Sequence, residues 1–211
     1  MSNVVIIDYG MSNLRSVQRG FEKVGAKVTL SSNYSEIAKA DRLVLPGVGA
    51  FEDGMNGLRN AGLLEAIYDF VQTGNALLGI CLGMQMLLGY SEENGNHKGL
   101  ELIPGNVQKI PQDTNGVVRK IPHIGWATLQ QPNKIDWNGS CLEEIQVNDS
   151  FYFIHSYMSV TGNKEHLLAQ YEDEGLLVTA AIKKDNVIGL QFHPEKSGEV
   201  GLRVLKNFIS L

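Results

Sequence analysis

Only two cysteines, Cys81 and Cys141, occur in 211 residues, too few for the disulfide framework of a small secreted scaffold. The opening stretch MSNVVIIDYG lacks a basic segment followed by an apolar run, so no secretory leader is read there. Both thiols are therefore expected to be free in a reducing cytoplasm. No apolar stretch reaches the ~20 residues that a membrane-spanning helix needs. Charge of one sign is also scarce: 18 Lys and Arg stand against 23 Asp and Glu, a net −5 with no block of like charge. Such a chain lacks the basic field that nucleic acid or an anionic membrane calls for. Internal repeats, low-complexity tracts and linkers are missing too, and one domain over residues 1–211 is the simplest organisation. What is present is a 43% hydrophobic composition, enough at this length to bury a substantial core.

The first half alternates β-branched runs with amphipathic stretches. Val4-Val5-Ile6-Ile7 reads as a buried strand, after which Leu14, Val17, Phe21 and Val24 recur at helical spacing. Further strands are read at 28–30, 43–45 and 76–80, and helices at 51–58 and 63–71. Ser31-Ser32-Asn33 suits a helix N-cap. From Gly99 to about Gln191 the segments shorten and gain Pro, Gly, Thr and aromatics. Strands are expected at 151–154, 178–182 and 187–191, some of them antiparallel, with Lys184-Asp185-Asn186 as a turn. A closing helix puts Val200, Val204, Leu205 and Phe208 on one face. The pattern predicts an α/β fold: an open, mostly parallel twisted sheet with helices on both faces and an antiparallel extension.

The segment Leu77-Leu78-Gly79-Ile80-Cys81-Leu82-Gly83-Met84-Gln85 carries the sharpest local signal. Apolar residues lead in as a strand, and 84–88 lead out as a helix. Cys81 stands at the join with Gly79 and Gly83 as second neighbours, the pattern of a nucleophile elbow with Cys in place of Ser. Such a turn pushes the side chain out at the carboxyl end of the sheet, where α/β clefts form. It also sets the sulfur at a helix N-terminus, whose partial positive charge favours thiolate. A cysteine beside a strand is often only packing, and the two readings stand level until a base is found. Cys141, in Asn138-Gly139-Ser140-Cys141-Leu142, has no such context and reads as structural.

Gly189-Leu190-Gln191-Phe192-His193-Pro194-Glu195 supplies a base. Side chains two apart in an extended segment face the same way, and Pro194 disfavours the helical region for His193. A carboxylate beside the imidazole fixes its tautomer and supports the imidazolium formed as Cys gives up its proton. His155, in Ile154-His155-Ser156-Tyr157, is a rival base without a nearby acid in sequence, and is assigned to orientation or packing. His97, His123 and His166 show no ligand-like spacing, and no metal site is read. Pro46-Gly47-Val48-Gly49 follows the third strand, at the sheet edge that holds Cys81. Glycine-rich backbone there can aim N–H groups at a developing negative charge. It falls short of a phosphate-binding motif and, in isolation, would pass for a plain turn.

Taken together, residues 79–85, Pro46-Gly47-Val48-Gly49 and Gln191-Phe192-His193-Pro194-Glu195 resemble the class I (triad) glutamine amidotransferases. Nearly the whole chain is similar to the glutaminase subunits of imidazole glycerol phosphate synthases, from histidine biosynthesis. Further marks are Ile6-Ile7-Asp8-Tyr9-Gly10, Asn13-Leu14, Gly99-Leu100, Ile103-Pro104-Gly105, Pro122-His123-Ile124-Gly125-Trp126 and Tyr152-Phe153-Ile154-His155-Ser156-Tyr157. The resemblance implies that Cys81, His193 and Glu195 are catalytic and that Val48, Gly49 and Leu82 face an oxyanion. It implies that Gly47, Gln85, Glu93, Ser156 and Tyr157 hold glutamine, and that Asn13, Tyr152 and Lys196 face a partner. That partner would be a (βα)8-barrel cyclase subunit receiving ammonia in a heterodimer, with no cofactor. Met11-Ser12 departs from the Gly that many relatives carry after the Met. Paralogues that feed sugar amidotransferases of surface-polysaccharide pathways are the alternative. A non-catalytic docking subunit and a stand-alone Cys hydrolase fit less well, because Cys81, His193 and Glu195 are all present beside Gln85 and residues 46–49.

Overall fold

Alternation of side chains along the first strand sets up the architecture of the computed structural model, which describes residues 3–10, 13–114, 116–132 and 135–211. Met11 and Ser12 lie outside the described residues. In β1 (Asn3–Ile7), Val4 and Ile6 enter one apolar cluster with Val17, Phe21, Val204 and Phe208. Val5 and Ile7 enter another with Phe51, Met55, Leu58 and Phe70. A strand buried on both faces carries apolar residues at every position, which is why this one reads as a continuous run.

The chain continues through α1 (Leu14–Lys23), β2 (Lys27–Ser31), α2 (Tyr34–Ala38), β3 (Arg42–Gly47), α3 (Phe51–Asn60), α4 (Leu64–Gln72), β4 (Leu77–Cys81) and α5 (Leu82–Met86). Asn33 caps α2, its side chain accepting from the N–H groups of Ser35 and Glu36. The second half supplies β5 (Tyr90–Ser91), β6 (His97–Lys98), β7 (Gly105–Lys109), β8 (Asp113–Thr114), β9 (Val117–Val118), β10 (His123–Thr128) and β11 (Ser150–His155). It ends with β12 (Tyr157–Thr161), β13 (Leu167–Asp173), β14 (Leu176–Lys184), β15 (Val187–Leu190) and α6 (Gly198–Ser210).

Among the described residues, seven strands form the main sheet in the order β13-β14-β15-β4-β3-β1-β2. The five from β15 to β2 are parallel, and β13 and β14 extend them antiparallel. α1 and α6 pack on one face, where the rings of Phe21 and Phe208 meet edge-on at 6.0 Å. α3 and α5 lie against the other face. β4 sits between β3 and β15 in a register that pairs Gly47 with Cys81 and Leu190 with Ile80. The carboxyl ends of three adjacent parallel strands therefore deliver residues 46–49, Cys81 and residues 191–195 to one edge, where clefts of open α/β sheets form.

Two expectations need correction. The helix after Cys81 begins at Leu82 rather than Met84, because the elbow turn at Cys81 (φ 54°, ψ −111°) hands the chain straight into helical geometry. The segment after His193 is not extended: Pro194–Lys196 forms a 3-10 turn, a place where proline's fixed φ and missing N–H are tolerated.

Candidate active site

The elbow at Cys81 depends on its two glycines. A Cβ on Gly83 would overlap the carbonyl oxygen of Leu45, and one on Gly79 would lie 2.7 Å from the carbonyl oxygen of Gly83. With the turn closed this tightly, Cys81 is forced to a positive φ that a β-carbon disfavours. Its side chain emerges into a cavity of 310 Å³ that is also lined by Val48, Gly49, Leu82, Gln85, Glu93, Ser156, Tyr157 and His193.

His193 reaches this cavity from the turn after β15. Its Nδ1 lies 2.8 Å from Glu195 Oε1, and both side chains are essentially without solvent contact. The 3-10 turn brings the carboxylate to the ring's Nδ1, so the pairing expected from an extended segment is reached by another backbone route. Oε1 also accepts from Asn13 Nδ2 at 2.8 Å, while Oε2 is buried without a hydrogen-bond partner among the described residues, and the other ring nitrogen of His193 is directed at the Cys81 sulfur. Burial opposes the imidazolium, yet the sulfur of Cys81 and the carboxylate of Glu195 outweigh it and push His193 up to about 9. Burial likewise opposes the Glu195 carboxylate, and the bond and charge of His193, aided by Asn13, hold its pKa below the usual value. The pair is thus an imidazolium facing a carboxylate.

The His193 turn is tied to β11. His193 N–H donates to the Tyr152 carbonyl at 3.0 Å, Ser197 Oγ donates to the His193 carbonyl at 2.6 Å, and Tyr152 N–H donates to Ser197 Oγ at 3.0 Å. β11 pairs with β10 so that Ile124 faces Ile154 and Trp126 faces Tyr152. Those pairs stand on one face of the ribbon, where Ile124 is 56% and Trp126 58% exposed. Lys196 Nζ lies 5.9 Å above the Tyr152 ring, and Lys196 and Ile154 also line the cavity.

The loop opposite Cys81 is held at both ends. Tyr9 Oη donates to the Pro46 carbonyl at 2.6 Å, and Phe51 N–H, at the start of α3, donates to Glu93 Oε2 at 2.7 Å. Between these points Gly49 has φ 103°, a conformation suited to glycine. Burial first, and the nearby Cys81 second, raise the pKa of Tyr9, so it stays a neutral donor.

The structure therefore gathers Cys81, His193, Glu195, Val48, Gly49, Leu82, Gln85, Glu93, Ser156 and Tyr157. Gly47 stands apart from the cavity, packed so that a Cβ would come 2.7 Å from Tyr9 Oη and 3.1 Å from Leu82 Cβ. Asn13, expected at a docking edge, reaches inward to Glu195. The rival base is occupied: His155 Nδ1 lies 2.8 Å from the Tyr157 carbonyl and Nε2 2.8 Å from Tyr171 Oη. Burial, only partly countered by that carbonyl, pushes its pKa down to about 4. Cys141 is buried, and burial pushes its thiol up to about 12. Among the described residues no group of His, Cys, Asp and Glu is arranged to hold a metal ion.

A family model described as glutamine amidotransferase class-I matches residues 5–211. The chain belongs to the class-I glutamine amidotransferases. Imidazole glycerol phosphate synthase subunit HisH 1 of Legionella pneumophila (strain Paris) is 49% identical over 213 residues, covering 100% of both chains. Subunit HisH of Syntrophotalea carbinolica is 48% identical, covering 97% of this chain and 98% of its own. The fold is shared with the structure of PurLQS from Thermotoga maritima, at a TM-score of 0.74 and 18% identity, with 100% and 99% of the two chains covered. Within the class-I glutamine amidotransferases the chain thus groups with the HisH subunits, and the surface-polysaccharide alternative is not favoured.

Sequence reasoning gave no role to three residues of this amidotransferase site. Gln191 was legible only as part of a motif, although it stands two before His193. Tyr9 follows β1 at the same sheet edge as the glycine loop, a placement that topology alone reveals. Ser197 carried no local signal; its bonds depend on β11 lying alongside.

Proposed function

We propose that this chain is the glutaminase subunit of an imidazole glycerol phosphate synthase in histidine biosynthesis. It works as one domain in the cytoplasm, in a heterodimer with a (βα)8-barrel cyclase that completes the lyase. The observation that carries the reading is the buried His193–Glu195 pair, 2.8 Å apart, whose imidazole shares one cavity with an elbow cysteine.

Cys81 Sγ attacks the side-chain amide carbon of glutamine, and the carbonyl oxygen becomes an oxyanion. The N–H of Leu82, which as the first residue of a helix has no intrahelical acceptor, stabilises it together with backbone at Val48 and Gly49. His193 gives its proton to the departing nitrogen, which leaves as ammonia with a thioester on Cys81. The now neutral His193 takes a proton from water, whose oxygen attacks the thioester, releasing glutamate and restoring the sulfur. Glu195 keeps the imidazole oriented through both halves. Gln85, Glu93 and the main chain at Ser156 and Tyr157 hold the amino-acid end of the substrate, and Gly47 shapes the loop beside it.

The exposed Ile124, Trp126 and Ile154, beside Tyr152 and Lys196, form an apolar and cationic rim next to the cavity. This is where the cyclase docks and receives ammonia. Docking acts on β11, and the Tyr152–Ser197–His193 bonds and Asn13 carry the effect to the triad. Glutamate release is to be measured from the purified chain alone and then with the cyclase and its ribonucleotide ligand. Strong stimulation supports the reading. No stimulation, with Cys81 still labelled by a glutamine analogue, keeps the glutaminase and sinks the partner.

A further inference from the structure

Gln191 is fully buried at the end of β15, two residues before His193, with its backbone N–H bound to the Ala180 carbonyl at 2.8 Å. Its amide lies between two groups: Gln85 Nε2 at 3.0 Å from Oε1, and Cys81 Sγ at 3.8 Å from Nε2. The orientation of this amide follows from an obligate acceptor. The Tyr157 carbonyl can only accept, and it sits 3.3 Å from the end of the Gln85 side chain, so that end is the Nε2 donor. The same Nε2 must then meet the oxygen of Gln191, which leaves the Gln191 NH2 group facing the sulfur. An amide nitrogen does not accept hydrogen bonds, so in this contact the sulfur accepts. A thiolate accepts far better than a thiol, because bonds with an ionised partner are the stronger ones.

We propose that Gln191 is a catalytic residue, whose side-chain N–H donates to the Cys81 sulfur and stabilises it as the thiolate nucleophile and as the leaving sulfur of the thioester. The proposal deepens the glutaminase reading and rests on it. His193 supplies charge from one direction, while Gln191 supplies a neutral, directional donor from another and keeps the sulfur aimed while the imidazole moves its proton. Gln85 fixes the Gln191 amide, so the residue expected to hold substrate also orients the group that touches the nucleophile. The other titratable side chains around the sulfur are His193 with Glu195 behind it, Tyr9 after β1, and Glu93, His155, Tyr157 and Lys196 across the cavity. A substitution at position 191 replaces none of them.

The test is the pH dependence of Cys81 alkylation by iodoacetamide in the full chain, read by mass spectrometry of the Cys81 peptide. Gln191→Met keeps the length and loses the donor; Gln191→Asn keeps an amide but withdraws it from the sulfur. Both are expected to move the alkylation midpoint about one pH unit upward, a roughly ten-fold slower reaction below the midpoint. Each is expected to lower kcat for glutamate release about ten-fold, with KM within about two-fold, as for an interaction made in the transition state. A purely structural glutamine would alter unfolding by urea and leave the alkylation midpoint in place. If Met fails to fold, Asn alone decides. Profiles that superimpose on that of the unaltered chain overturn the proposal, even if kcat falls. Failure of a glutamine analogue to label Cys81 in the unaltered chain would instead overturn the glutaminase reading beneath it.

Discussion

Glu195→Gln separates charge from shape at the triad. Oε1 of Glu195 accepts both from His193 Nδ1 and from Asn13, and Oε2 has no hydrogen-bond partner among the described residues. A glutamine can place its oxygen where Oε1 stands, keep both bonds, and put its NH2 group in the place of Oε2. Only the negative charge is then lost. Burial opposes the His193 imidazolium, and the Cys81 sulfur and Glu195 together push it up to about 9. Without the carboxylate, the sulfur alone works against burial. A fall of about two pH units would cut the protonated fraction at pH 8 from roughly nine tenths to roughly one tenth. In the proposed mechanism the imidazolium donates the proton to the departing amide nitrogen, and acid–base catalysis by a positioned side chain contributes about 10²- to 10⁴-fold. The variant is therefore expected to lose glutamate release by a factor in that range while folding as before. NMR of labelled histidine reads the His193 midpoint directly. A midpoint still near 9 with less than a ten-fold loss of kcat would refute the argument.

Three other outcomes follow from the same geometry. Tyr9→Phe leaves the Pro46 carbonyl without its donor and should cost about 1–3 kcal/mol in urea unfolding, with a lower kcat as the 47–49 loop loses one of its two ties. Trp126→Ala removes an exposed aromatic from the proposed docking face and should weaken cyclase binding, read by calorimetry, by more than about 2 kcal/mol, with glutamate release by the isolated chain unchanged. His155 binds its proton more weakly folded than unfolded, with a pKa pushed down from 6.5 to about 4. Because the unfolded chain binds more protons in that window, stability should fall as pH drops from about 6.5 to about 4, by up to about 3 kcal/mol. His155→Gln should flatten that slope in urea titrations at pH 5 and pH 7.5.

The parallel half of the sheet and its helices were legible because burial on both faces writes continuous apolar runs, as in Val4-Val5-Ile6-Ile7, and because α1 shows its face at Val17 and Phe21. β10 alternates half-buried with exposed residues, and without its partner β11 that alternation gave no strand. β13 was missed although Glu174 and Gly175, both at positive φ, make the turn into β14. The meeting of Cys81, His193 and Glu195 was legible because the elbow needs its glycines and an imidazole pairs readily with a nearby acid. The inward turn of Asn13 and the amide chain from Gln85 through Gln191 to Cys81 join residues up to 182 positions apart, contacts that no local pattern encodes.

In the proposed function Cys81 is the nucleophile that releases ammonia for a synthase. The most direct test is Cys81→Ala assembled with the cyclase, assayed once with glutamine and once with added ammonia. Cyclase turnover with ammonia and none with glutamine is the expected result. Glutamine-dependent turnover surviving in that variant would contradict the account.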